Sequence, residues 1–350
     1  MKMTVAGGCG EHGRNCFFVK GSNIAFIVDC GLMPGAEMPY PYLSKAEIQA
    51  AEWLFITHSH LDHTGAYPWF CDQGFSGCVV ITSETAKQLS FAPKHVCLID
   101  DMIPAMSPGL LSEDLSVVWG RSGQCAGSVW YEIHSGDKSI LFSGDYVEDT
   151  LAYRCDFIRD RKADTAVLDS AYGNAEQTPD AYRDALVDTL RVFLELGKKI
   201  LFPVPKYGRG FDLLLLLNRN FPSVPFKVDE HLYGELSRIA DMGDWVKPEA
   251  IAEIKRISNI EGMTESGESG FVFLSDPQLK SFEAQKLAND AAENNDGIIL
   301  TGHADKGSFS EQLIESGRAV LKRYAVHMSD NERMGLEKLN RFEAVVPYHR

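Results

Sequence analysis

The sequence predicts an α/β protein in which one α/β unit is inserted into another. Three observations carry that expectation. Short apolar runs recur through the first half of the chain, and several lead into aspartate or histidine: residues 24–28 before Asp29, 53–56 before His58, 139–142 before Asp145 and 165–168 before Asp169. From Thr178 onward, helical and strand-like stretches alternate, the pattern of a parallel sheet flanked by helices. Chemistry-bearing side chains then return near the end, at His327, Asp330 and His349.

Composition narrows the function classes. A chain of 350 residues exceeds one typical domain, and 45% hydrophobic with 24% charged residues suits a sizeable core. A net charge of -15 argues against a protein that coats nucleic acid non-specifically. It leaves a nuclease open, because a metal centre and a few local cations can hold phosphate in an acidic protein. The eight cysteines form no C-x-x-C pair and none lies beyond Cys155, which reads as reduced thiols in a cytoplasmic protein. Apolar runs such as 213–217 are too short to cross a membrane.

Taken in order, residues 3–6 and 16–20 read as strands around Gly7-Gly8-Cys9-Gly10-Glu11-His12-Gly13-Arg14-Asn15. Gly8, Gly10 and Gly13 spell G-x-G-x-x-G, yet the next residues are strand-like where a dinucleotide site needs a helix, so a glycine-rich strand connection is expected. His12 sits on that loop, within reach of a bound substrate. Asp29, ending a buried strand, is expected to anchor a loop or support a metal ligand. Ser44 and Ser83 read as helix caps. Strands follow at 117–119, 128–133 and 139–142, with a hairpin turn at His134-Ser135-Gly136-Asp137 that leaves His134 solvated. In the second unit, Thr178 and Pro179 open a helix to about residue 196, 199–204 is a strand, 207–210 a loop and 211–220 a leucine-faced helix. Further strands are expected at 226–229, 271–274 and 298–300, and a last one at 344–348 runs into His349.

The densest chemistry is Thr57-His58-Ser59-His60-Leu61-Asp62-His63, where three histidines and an aspartate follow a buried strand and precede small turn residues. Imidazole and carboxylate together suit zinc and similar divalent ions. Asp29, this cluster, Asp145 and Asp169 all fall at strand ends, and their convergence at one sheet edge is what a dinuclear hydrolytic site requires.

These residues resemble the metallo-β-lactamase fold and, more narrowly, its β-CASP branch of ribonucleases, which includes RNase J and the mRNA 3′-end processing endonuclease. The resemblance covers nearly the whole chain. Residues 7–15 resemble the opening glycine-rich loop, and Asp29 resembles the first motif. His58, His60, Asp62 and His63 match the second motif, the most specific, and Asp145 matches the fourth. Asp169, in Asp-Ser-Ala-Tyr-Gly, resembles β-CASP motif A, and 200–205 with Gly208-Arg209 resembles a strand and turn of the insert. His327 takes motif B and His349 motif C, with His303 standing where an aromatic usually lies; the rival pairing gives B to His303 and C to His327. One departure stands out: Gly123-Gln124-Cys125-Ala126-Gly127-Ser128 has Gln124 where the third motif has a metal-binding histidine. Family members also usually continue beyond the position of Arg350.

The resemblance implies an αββα sandwich at 1–175 and 323–350 with an α/β β-CASP insert at 176–322. It implies one or two divalent ions, zinc or manganese, held by His58, His60 and Asp145 on one side and by Asp62, His63, Asp145 and His349 on the other. The first side lacks a ligand at Gln124, where Cys125 offers a thiolate. Asp62, Asp169 and His327 are the implied catalytic residues, and Lys206, Arg209 and His303 the implied substrate contacts. The implied reaction is hydrolysis of RNA phosphodiesters by metal-activated water, with the insert as a lid. Single-stranded RNA is the expected partner, with a homodimer and no membrane. Alternatives are a weakly active or non-catalytic relative that binds RNA or acts as a scaffold, another hydrolase on the same fold, or DNA as substrate.

Overall fold

The computed structural model describes residues 1–263 and 270–349. The chain divides into two compact units. One comprises Met1–Glu148, Arg154–Glu176 and the chain from Val326 on; the other comprises Asp149–Tyr153 and Gln177–Ala325.

The first unit holds two six-stranded sheets. One follows chain order: Lys2–Gly7, Cys16–Lys20, Ala25–Val28, Trp53–Phe55, Cys78–Ile81 and Val96–Leu98. Its first three strands are antiparallel and the rest parallel. The strand Trp53–Phe55 is central, and its register sets Leu54 opposite Ile27 and Val79. These three side chains pack outward with Ile48 and Phe70 from the helices Lys45–Ala50 and Tyr67–Asp72. Phe26 and Phe55 point the other way and meet edge to face. Burial on both faces explains why the strand reads as a continuous apolar run rather than an alternating one.

The second sheet runs Arg341–Tyr348, Lys162–Asp169, Lys138–Phe142, Val129–Ser135, Leu115–Arg121 and Gly109–Ser112. The two sheets face each other through aromatic rings. Phe17 lies 5.7 Å from Phe142 and 5.6 Å from Tyr348, and Phe55 lies 5.3 Å from Tyr131. Tyr131 sends its hydroxyl to the Ile56 carbonyl, so its polar end is satisfied inside the core. Burying each such ring contributes about 1.5–3 kcal/mol. Helices outside both sheets complete an αββα sandwich: Leu336 of the helix Asp330–Lys338 packs on Leu141, Ala166 and Leu168.

The last strand pairs in parallel with Lys162–Asp169 and sets Tyr348 opposite Asp169. Residues remote in sequence thereby arrive at the same edge of the sheet.

The second unit is a six-stranded, wholly parallel sheet ordered Ile260–Gly262, Phe226–Val228, Phe271–Leu274, Ile200–Pro203, Gly297–Leu300 and Val320–Leu321. The alternation read from Thr178 onward produces it. Thr178 caps the helix Pro179–Glu195, whose first residue is the proline. The leucines at 213–217 are all buried, on the helix Arg209–Asn220.

Several local expectations shift. The cap before the helix Ser83–Gln88 is Thr82, which accepts from Thr85; Ser83 instead donates its N–H and hydroxyl to Asp100. Arg209 opens its helix rather than lying in a loop. The strands Gly109–Ser112 and Val96–Leu98 escape a reading based on apolar runs, because both are short and lie at sheet edges. No helix of the described residues is long and apolar enough to cross a membrane.

Candidate metal centre

The glycine-rich stretch 7–15 joins two antiparallel strands, so its G-x-G-x-x-G opens no dinucleotide helix. Gly8 is held at φ +85°, and a Cβ there would meet Asn15 Oδ1 at 2.3 Å. Asn15 in turn fastens the metal-type motif: its backbone N–H donates to the Asp62 carbonyl at 2.8 Å. Its side-chain Nδ2 lies 3.2 Å from Asp62 Oδ2 and 2.9 Å from His63 Nε2.

After the strand Trp53–Phe55 the chain runs extended through His58 and turns at His60 into one helical turn, Leu61–Thr64. Backbone bonds from Cys30 to His63 and from Leu32 to Leu61 clamp that turn. The approach is so close that a Cβ on Gly31 would lie 1.7 Å from the Asp62 carbonyl oxygen. Asp29 accepts from the Thr57 N–H at 2.8 Å and from His63 Nδ1 at 2.8 Å. This fixes the His63 tautomer and aims Nε2 at Asp145, 3.2 Å away. Asp29 was expected to anchor a loop or support a metal ligand; it anchors the start of the motif through Thr57 and bonds the His63 ring.

Asp145 follows the strand Lys138–Phe142 through Gly144, and Asp169 ends the neighbouring strand. Asp145 Oδ1 lies 3.2 Å from His63 Nε2 and 3.2 Å from His349 Nδ1, whereas Oδ2 lies 3.4 Å from His58 Nε2. Asp62 Oδ2 approaches His349 Nε2 at 3.1 Å. Asp169 Oδ2 approaches His327 Nδ1 at 3.1 Å, and Tyr172 meets the His327 ring edge-on.

Among the described residues, three groups of ligand atoms lie within 4.8 Å of one another: His58, His60 and Asp145; Asp62, His63 and His349; and Asp145, His327 and His349. The first is one of the sets expected from the motifs; the second is the other expected set without Asp145, which enters the first and third groups. His327 and His349 both enter these groups. His303 enters none; it belongs to the second unit, where its carbonyl accepts from Gln278. Lys206 and Arg209 are in that unit too, and the Arg209 guanidinium lies against Gly302.

The donor set fits divalent ions. His58 Nε2, Gln124 Oε1 and both ring nitrogens of His349 are buried without a hydrogen bond, and a buried polar atom left so is costly. Burial disfavours charge on His349, yet Asp145 and Asp62 hold its pKa up at about 10. His63 is likewise drawn well above the ordinary imidazole value against its burial, by Asp145 and Asp29. Burial would raise Asp62, but His63 and His349 keep it well below the usual carboxylate range. A site with this electrostatic demand for positive charge suits a cation in place of those protons.

Gln124 reaches the site: its Nε2 donates to Asp145 Oδ2 at 3.3 Å and its Oε1 is one of the orphaned atoms. Cys125 does not compensate. It joins none of the ligand groups, its N–H and carbonyl both bond Ser128, and burial pushes its thiol well up, away from thiolate. Sequence reasoning missed the contact of Asn15 with His63 and Asp62; its place in the glycine-rich loop was the only signal.

Two facing sheets with a His/Asp cluster at their edge define a metallo-β-lactamase superfamily domain, and the family model described as "Metallo-beta-lactamase superfamily" matches residues 9–84. The chain is 28% identical over 248 residues to "Transcription termination factor FttA" of Methanothermobacter thermautotrophicus, covering 62% of this chain and 39% of that one. It is 22% identical over 343 residues to "RNase J-like protein" of Methanocaldococcus jannaschii, covering 90% and 80%. It is 23% identical over 377 residues to "Endoribonuclease ysh1" of Schizosaccharomyces pombe, covering 90% and 48%. The chain spans about two-fifths of the length of the termination factors it matches. The chain thus carries a metallo-β-lactamase superfamily domain and is similar over most of its length to proteins named as RNase J-like and as endoribonucleases.

Proposed function

We propose that the chain is a metal-dependent hydrolase of RNA phosphodiester bonds, a ribonuclease of the β-CASP type. The observation that carries this reading is the Asp145 carboxylate, one oxygen toward His63 and His349 and the other toward His58. His58, His60 and Asp145 would hold one ion, and Asp62, His63, Asp145 and His349 a second, zinc or manganese. Ions held there supply an activated water and offset charge on the scissile phosphate.

The chain's own residues do the rest. Asp29 keeps His63 in the tautomer that offers Nε2 to the site. Asp169 lies 3.1 Å from His327 Nδ1 and orients the ring, whose role in this reading is to stabilise or protonate the leaving oxygen. Asp62, partly exposed beside His349, is the third catalytic residue. In the second unit, Lys206, Arg209 and His303 are proposed substrate contacts, Arg209 through its two-pronged geometry toward phosphate. The relatives, named as ribonucleases and a termination factor, support RNA as the substrate, single-stranded in this reading, with a homodimer as the proposed assembly. The eight free cysteines suit a reducing, cytoplasmic setting.

Gln124 favours a second reading, in which the His58 side is too weak to hold an ion and the chain binds RNA without cleaving it. Metal analysis of the purified chain, followed by a labelled RNA ladder with and without Mn(II), separates the two. Bound metal with metal-dependent cleavage supports the nuclease; RNA binding without cleavage at any metal loading supports the second reading.

A further inference from the structure

The last ligand of the site has an unusual seat. The parallel ladder with Lys162–Asp169 ends at Tyr348, so His349 lies one residue past the strand. Its backbone is left-handed, φ +69°, a conformation uncommon for a residue with a Cβ and held here by its surroundings. Those surroundings are the glycine-rich loop. The His349 N–H donates to the Gly8 carbonyl at 2.5 Å, and the Cys9 thiol lies 3.6 Å from the Pro347 carbonyl.

His12 completes the seat. Its ring stacks on the His349 ring with centroids 4.3 Å apart and planes 7° from parallel. The other flat contact of His349 is Tyr348, its own chain neighbour. The loop that carries His12 is braced: Glu11 accepts from the Gly8 N–H and from Arg14 Nε, and the Arg14 guanidinium lies over the Tyr42 ring. His12 itself belongs to none of the ligand groups. The edge of the His349 ring faces two carboxylates, Nε2 at 3.1 Å from Asp62 Oδ2 and Nδ1 at 3.2 Å from Asp145 Oδ1, and neither contact has good hydrogen-bond geometry. The His12 stack supports the face of the ring, where it fixes the plane in which those nitrogens point.

We propose that His12 is a positioning residue for His349, holding the imidazole plane in the orientation that lets it ligate a divalent ion. The proposal rests on the reading that the cluster binds such an ion. It follows that a flat aromatic ring at position 12 serves as well as imidazole, whereas a small side chain does not.

The test is a titration of the chelator-stripped full chain with Mn(II), and with Co(II) followed by visible absorption, for the parent, His12→Ala and His12→Phe. Orienting contacts of this kind change metal affinity on the order of tenfold. The expected result is about tenfold weaker binding and an altered Co(II) spectrum for His12→Ala, with His12→Phe within about twofold of the parent. Metal-free unfolding midpoints should coincide, because His12 is exposed. His12→Ala binding as tightly as the parent, with an unchanged spectrum, overturns the proposal alone. So does His12→Phe binding as weakly as His12→Ala, which would assign the effect to the ring nitrogens. A metal-free His12→Ala that unfolds as early as its lost affinity requires would assign it to folding and overturn it as well. A parent chain that binds neither ion overturns the metal reading itself and this inference with it.

Discussion

Asp145 and His349 meet at 3.2 Å through Asp145 Oδ1 and His349 Nδ1, although one ends an early strand and the other lies at the close of the chain. The same oxygen faces His63, and its partner oxygen faces His58 and Gln124. One carboxylate thus touches every part of the candidate centre, which ranks the substitutions there.

Asp145→Ala should cost more than any other single change at the site. It removes the group shared by both ligand sets and leaves the buried imidazoles of His58, His63 and His349 facing one another. Metal content measured by plasma emission should fall to a small fraction of the parent's, and RNA cleavage by about 100-fold or more. Circular dichroism should remain that of a folded chain.

Gln124→His tests the short side of the centre. Glutamine is a weak ligand for zinc, and here its amide nitrogen is turned to Asp145. The histidine variant should bind more ions per chain than the parent and cleave faster. Equal stoichiometry in parent and variant would show that Gln124 is not what limits that side.

Asp212 gives a test of stability away from the centre. It accepts from the Thr150 hydroxyl and from the N–H groups of Leu151 and Ala152, tying that segment to the helix Arg209–Asn220. Asp212→Ala orphans those donors and should destabilise the chain by about 2–4 kcal/mol in urea unfolding. Burial is the largest influence on Asp212 and raises its pKa above the ordinary 3.8, against the hydrogen bonds that lower it. A carboxyl raised on folding contributes stability that is fully present below its unfolded pKa and is lost as pH rises through the folded value. Asp212→Asn cannot ionise, so its stability relative to the parent should climb as pH rises above the ordinary 3.8 toward the raised folded value. A flat difference would show that Asp212 titrates normally.

Arg209→Ala should weaken RNA binding and lower the salt slope by roughly one counterion, if its guanidinium meets a phosphate. Arg209→Lys should recover the charge but not the two-pronged contact. Filter binding across a salt series measures both. An unchanged slope in Arg209→Ala would leave its packing against Gly302 as its role.

Much of this was legible in the chain because the informative residues are local in sequence. His58 to His63 fall within one turn after a strand, and apolar runs buried on both faces announce the central strands. The alternation after Thr178 likewise announces a parallel sheet. What stayed hidden depends on contacts between distant segments. Nothing in the sequence says that Asn15 lies 2.9 Å from His63, or that His12 stacks on His349. Nor does it say that Cys125, next to Gln124, stays out of the ligand groups while its backbone N–H and carbonyl bond Ser128. Adjacent residues on a tight loop point in different directions, and the chain gives no register to tell which.

The central claim is that the cluster around Asp145 is a hydrolytic metal centre acting on RNA. The most direct measurement is cleavage of a labelled single-stranded RNA by the chelator-stripped chain reloaded with Mn(II) or Zn(II), run beside His63→Ala. The parent should cleave only when reloaded, and His63→Ala should lose roughly 100-fold or more under the same loading. A His63→Ala variant that cleaves as fast as the parent would contradict the account.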